Sequence, residues 1–145
     1  MSILSIERIQ INSSAATKEE AIQQAGELLA NSGCIQPDYI AGMFAREETM
    51  STYLGNGVAI PHGMHESVQY IKQSAISVVQ IRAGVDWEDG EKAHIVIGIA
   101  ALGDDHMVIL SNLAEVIEEM DAVMALATTD EAQFILDQLT AESVN

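Results

Sequence analysis

Four histidines, His62, His65, His94 and His106, are the side chains here best suited to act as nucleophile, proton carrier or metal ligand near neutral pH. A free imidazole titrates at about 6.5, so much of it is neutral and nucleophilic at pH 7. His62 stands between Ile60-Pro61 and Gly63, which puts it at the end of a short strand. Open α/β sheets bind ligands at such strand ends. Pro61 restricts the approach of the chain and Gly63 leaves room beyond it. His106 also follows a predicted strand, in the first turn of a helix that Gly103 or Asp104 would cap. The unpaired N–H groups and positive dipole of that turn suit an anion such as phosphate. If the two strand ends meet, His62 and His106 face the same ligand. His94, at the start of a strand, reads as structural, and His65 reads as exposed at the start of a short helix.

The run His62-x-x-His65-Glu66 invites a metal reading. Its spacing differs from the H-E-x-x-H of a helix-borne zinc site, and cysteine ligands are missing. No metal is expected. Asp104-Asp105 offers carboxylates for magnesium, but helix capping accounts for them more simply. The phosphate-binding loop, the dinucleotide-binding fingerprint and the serine-hydrolase elbow are all missing, so no nucleotide or other cofactor is expected.

Several elements must hold these residues. Thr17-Lys18-Glu19-Glu20 reads as a capping box. Behind it Ala21, Ile22, Ala25, Leu28 and Leu29 recur at helical spacing, with the helix ending near residues 31–33. Pro37 fits the first position of a second helix, whose apolar face is Tyr39, Ile40, Met43 and Phe44. Arg46 lies near its end. Leu54 to Gly57 is a glycine-bearing turn before the short strand Val58–Ile60. Ala75–Ile81 and Ile95–Leu102 are the two best strands, and Asp89-Gly90 between them is a hairpin signal. The second strand is almost continuously apolar, as a central strand covered on both faces would be. Gly103-Asp104-Asp105 opens a helix with Met107, Leu110, Leu113, Ile117 and Met120 as its apolar face. A second capping box, Thr128 to Glu131, starts a last helix with Phe134, Ile135 and Leu139 facing in. Residues 1–12 alternate weakly and suggest a short strand or turn. The expected fold is α/β: a single layered domain over residues 1–145, a mixed sheet flanked by helices on its faces.

Composition narrows the function. The 145 residues suit one domain, and 48% apolar residues suffice for a core. The formal charge is −16, from 22 acidic against 6 basic residues. Nucleic acid and anionic membrane surfaces are disfavoured partners, because both require basic patches. The strongly negative surface suits a basic protein partner through electrostatic steering, or serves only to keep the protein soluble. No secretory leader and no membrane-spanning stretch are expected. The single cysteine, Cys34, cannot form an internal disulfide and reads as a small buried side chain in a cytoplasmic protein.

The run Tyr53-Leu54-Gly55-Asn56-Gly57-Val58-Ala59-Ile60-Pro61-His62-Gly63 closely resembles the active-site segment of mannitol/fructose-type enzyme IIA domains. These belong to the bacterial phosphoenolpyruvate-dependent sugar phosphotransferase system. Met43 to Glu48 resembles the family's arginine-bearing helix. Val96 to Ala101 followed by Asp104-Asp105-His106 resembles its second-histidine segment. Three motifs in order over nearly the whole chain are far more specific than one, and the length matches a free-standing domain of the mannitol branch. The resemblance implies that His62 accepts a phosphoryl group from the phosphohistidine of HPr. It also implies transfer to a cysteine of the IIB domain of a sugar permease, with Arg46 and His106 as active-site partners and neither nucleotide nor metal required. Where some mannitol-type members have an acidic residue before the histidine, this chain has the uncharged Asn56.

Two other readings share parts of this site. A nitrogen-related regulatory IIA module would use the same His62 chemistry without phosphorylating sugar. A metal-dependent hydrolase would use His62, His65 and His106 as ligands.

Overall fold

The computed structural model describes residues 3–140, so the outermost ends of the expected 1–145 domain lie outside the described residues. Five strands form one mixed sheet in the order β1-β4-β5-β3-β2. They are β1 (Ile9–Gln10), β2 (Tyr53–Gly55), β3 (Val58–Ala59), β4 (Ala75–Glu88) and β5 (Glu91–Ala100). Helices α1 (Lys18–Asn31) and α2 (Asp38–Thr49) belong to the core on one face. Helices α3 (Asp105–Ile117), α4 (Met120–Thr128) and α5 (Ala132–Thr140) belong to the core on the other. The expected α/β layered architecture is the observed one.

The long hairpin of β4 and β5 is the spine. Its two strands pair antiparallel through a turn at Asp89-Gly90, where both residues have positive φ (47° and 82°). That geometry matches the right-handed twist of the strands and explains the Asp-Gly signal. Residues of β5 alternate between two cores: Ile95, Ile97 and Ile99 face the α3–α5 side, and Val96 and Ala100 face the α1–α2 side. All five are at most 1% exposed, which is why the strand reads as a continuous apolar run.

The first helix starts as its capping residues dictate. Thr17 Oγ1 accepts from the Glu20 amide at 3.1 Å. The reciprocal arm differs from the simple box, since Glu20 Oε1 accepts from the amide of Ala16 at 3.0 Å. Pro37 sits one residue earlier than expected, at the N-cap of α2.

Three expectations change on the α3–α5 side. The apolar face of α3 is Ile109, Leu113 and Ile117, while Met107 is 66% exposed. Met120 does not continue this helix but begins α4, and it too is exposed. The second capping box does not form on Thr128, whose hydroxyl donates back to the Met124 carbonyl within α4. Thr129 Oγ1 accepts from the Glu131 amide instead. The Asn56-Gly57 turn proves to join two strands, β2 and β3, with positive φ at both turn residues. Near the N-terminus, a single helical turn over Ile6–Arg8 precedes β1, which pairs parallel with β4. Cys34 is buried and has a free thiol.

Candidate functional site

The sheet topology brings the two histidines together. β3 runs parallel to β5, so both strands end at the same edge. Ile60 and Pro61 follow β3, and Pro61, lacking an N–H, serves only as an acceptor: its carbonyl takes the Ile99 amide at 3.0 Å. His62 then forms a single parallel bridge to Ile99. From the same end of β5 the chain turns through Gly103 into α3, which carries His106 in its first turn. The two imidazoles stand 5.2 Å apart between centroids, edge to face at 66°. They line a cleft of about 590 Å³ together with Tyr39, Arg46, His65 and Gly103. All three expected site residues therefore share one concavity.

The orientation of His62 is set by its own backbone. Nδ1 lies 2.8 Å from the Ile60 carbonyl oxygen. A carbonyl can only accept, so Nδ1 carries the proton and Nε2 keeps its lone pair. Burial holds the basicity of the ring below its ordinary value. The charges of Arg46 and His106 act in the same direction, while the bond to Ile60 and the carboxylate of Glu47 oppose them. The neutral form is thus favoured at pH 7.

Arg46 reaches the cleft from the last turn of α2. Its Nη1 donates to the Met50 carbonyl at 2.6 Å, which ties the guanidinium to the end of its own helix. It takes part in none of the ion pairs found among the described residues. A planar fork of donors remains for a phosphate-like anion.

His106 is held differently from the expectation. Asp104 occupies the N-cap of α3, but its side chain makes no capping bond. Its carbonyl accepts from Met107 at 3.1 Å. The local clip is Ser74: its hydroxyl donates to Asp105 Oδ2 at 2.6 Å and accepts from the Leu102 amide at 2.9 Å.

His65 is exposed and opens the helical turn His65–Tyr70, as expected. It lines the cleft mouth. Among the described residues, no group of three or more His, Cys, Asp or Glu side chains is arranged to hold a metal ion. His94 is structural: its Nδ1 lies 3.1 Å from the Arg82 carbonyl, and its ring lies against Gly84.

Two supporting groups escaped the sequence reading. Tyr39, counted as an apolar face residue, has a hydroxyl that bridges two backbone groups at the site. A buried phenol needs a partner for its O–H, and that is the one signal the sequence held. Glu47, beside Arg46, is buried. Its carboxylate accepts from the Thr52 amide at 3.2 Å and from Trp87 Nε1 at 3.1 Å. Lys18 Nζ is 3.5 Å away. Lys18 and Trp87 are too distant in the sequence for this cluster to be legible there.

A profile of the family described as phosphoenolpyruvate-dependent sugar phosphotransferase system, EIIA 2, matches residues 2–142. The chain is 43% identical over 126 residues to the mannitol-specific phosphotransferase enzyme IIA component of Bacillus subtilis, covering 87% of this chain and 88% of that one. Among solved structures it resembles the complex of enzyme IIAMTL and phosphorylated enzyme IIBMTL from Escherichia coli. That match has a TM-score of 0.91 and 33% identity, over 98% of this chain and all of the other. The nitrogen regulatory protein IIA-Ntr of Neisseria meningitidis matches with a TM-score of 0.81 and 29% identity, over 95% of this chain and 97% of that one. A sheet that joins His62 to His106, and a family match from one end of the chain to the other, agree: the protein belongs to the EIIA 2 family of the phosphoenolpyruvate-dependent sugar phosphotransferase system.

Proposed function

We propose that this protein is a phosphocarrier of mannitol uptake that holds the phosphoryl group on Nε2 of His62. The observation that carries this reading is the bond from Nδ1 to the Ile60 carbonyl, which leaves Nε2 as the nucleophilic atom beside Arg46 and His106. In the first step the Nε2 lone pair forms a bond to phosphorus as the P–N bond of phosphohistidine in HPr breaks, and the HPr imidazole leaves with its electron pair. In the second step a IIB cysteine thiolate attacks the same phosphorus and the His62 ring leaves. Mannitol is then phosphorylated by the IIBC permease as it enters.

Such transfers pass through a loose transition state with charge spread over three equatorial oxygens. Positioned donors are the main requirement, and Arg46 and His106 supply them. The relatives named for mannitol support the choice of sugar. The same reading takes residues 1–145 as one domain acting in the cytoplasm, and no described helix is long and apolar enough to cross a membrane.

The test is direct. With enzyme I, HPr and phosphoenolpyruvate the protein is expected to take up acid-labile phosphate, and His62→Ala is expected to abolish it. Label surviving that substitution overturns the assignment. The likeness to IIA-Ntr supports a second, regulatory reading with the same histidine. Adding a mannitol-specific IIBC protein separates the two. Mannitol phosphate is the expected product, whereas a labelled protein that yields none selects the regulatory role.

A further inference from the structure

Tyr39 is 3% exposed and lines the cleft together with His62 and Gly63. Its hydroxyl donates to the Ile99 carbonyl at 2.8 Å and accepts from the Gly63 amide at 2.8 Å. One hydroxyl therefore joins the end of β5 to the residue directly after His62. Donation to Ile99 requires the neutral phenol, and burial, its largest influence, keeps the proton on against the smaller opposite pull of the Gly63 amide. The ring fills the space beside Gly63 so closely that a Cβ there would lie 2.5 Å from Tyr39 Cε1.

The position of Tyr39 on α2 matters equally. Arg46 follows seven residues later, two turns along the same helix face. The helix that presents the guanidinium is thus the helix that grips the histidine segment. On the other side, His62 is fastened by the Pro61–Ile99 bond. Between these two fastenings the backbone has little freedom, and the short reach from Nδ1 to Ile60 depends on it.

We infer that Tyr39 is a positioning residue, whose hydroxyl clasps Gly63 to β5 and so holds His62 in the tautomer and register from which Nε2 meets the phosphoryl group beside Arg46. The inference rests on the reading of His62 as the phosphoryl carrier. Loss of the hydroxyl leaves the Gly63 amide without its acceptor. It also frees the His62 segment to shift relative to α2. Small misplacements of reacting groups cost roughly a hundredfold in rate.

The experiment compares the wild type with Tyr39→Phe, which keeps the ring and removes only the oxygen. Ring ¹⁵N shifts of His62 report the tautomer in the unphosphorylated protein. Rapid-quench transfer from phospho-HPr reports the rate. Ile135→Val, on the α5 side of the core, serves as a control for lost stability. The expected wild type shows the Nδ1–H tautomer. In Tyr39→Phe the Nε2–H tautomer is expected to appear, with transfer slowed roughly 10- to 100-fold. Ile135→Val is expected to change neither. A wild-type tautomer and rate in Tyr39→Phe overturn the inference, as does equal slowing in Ile135→Val. Should Tyr39→Phe not fold, exchange of the Gly63 amide in the wild type decides: protection like that of β5 supports the clasp, and rapid exchange overturns it. A wild type that takes up no phosphate defeats the carrier reading and the part of the inference built on it, while the tautomer comparison still tests the clasp on its own.

Discussion

Burial of His62 couples its chemistry to the stability of the fold. Its basicity in the folded protein is below the ordinary value of 6.5. Between 6.5 and the lowered value, the unfolded chain binds the proton more readily. Stability from this group is therefore complete above about pH 6.5 and is lost as pH falls through the lowered value. Chemical denaturation from about pH 8 down to about pH 5 is expected to show this acid-side decline, and His62→Gln is expected to flatten it. Transfer should follow the same proton, with a midpoint below 6.5. Arg46 contributes to the lowering, so Arg46→Gln is expected to move the NMR titration of His62 upward. If Arg46 holds its proposed role as a donor to the transferring phosphoryl group, the same substitution is expected to slow transfer roughly 10²- to 10³-fold. A downward move, or no loss of rate, contradicts the role assigned to Arg46.

Short polar clips hold the elements where the site needs them. Asn56 Nδ2 donates to the Ile117 carbonyl at 2.8 Å, so the β2–β3 turn caps the C-terminal end of α3. This gives the uncharged residue at that position a physical reason. A carboxylate there would have no proton to donate and would face the negative end of the helix. Asn56→Asp is expected to destabilise the protein by about 1 kcal/mol, read as a lower denaturation midpoint with unchanged slope. Glu47 ties the loop after α2 to Trp87 and Lys18. Glu47→Ala leaves the Trp87 N–H and Thr52 amide unpaired in a buried place. A loss of about 2–4 kcal/mol is expected, measured by the same denaturation.

At the scale of the molecule, the sheet is filled on both faces by aliphatic side chains. Ile97 is 1% exposed within the core on the α3–α5 side. Ile97→Ala is expected to cost about 2–5 kcal/mol in thermal or chemical unfolding. The net charge of −16 acts beyond the molecule. It should accelerate encounter with a basic donor, and raising salt from about 0.05 M to about 0.5 M should slow bimolecular transfer. A rate independent of salt argues against steering.

The sequence by itself determined the elements that depend on near neighbours. The helix cap at Thr17, the Asp89-Gly90 turn, the apolar run of β5 and the interruption at Pro61 all arise from local sterics, local hydrogen bonds or side-chain period. It also offered the candidate site residues: His62 and His106 each follow a predicted strand, whereas Arg46 stood out only through the resemblance of its segment to the family. Helix faces were less legible where apolar residues are plentiful: Met107 and Met120 carry the hydrophobicity of core residues but lie in solvent. Only the tertiary structure decided what the residues do together. The parallel pairing of β3 with β5 set His62 against His106. The Ile60 carbonyl selected the His62 ring nitrogen that stays free, a choice unavailable from composition or spacing. Tyr39 and Glu47 acquired their roles from partners such as Ile99 and Trp87. Contacts of that range exist only once the sheet has closed, so no local pattern announces them.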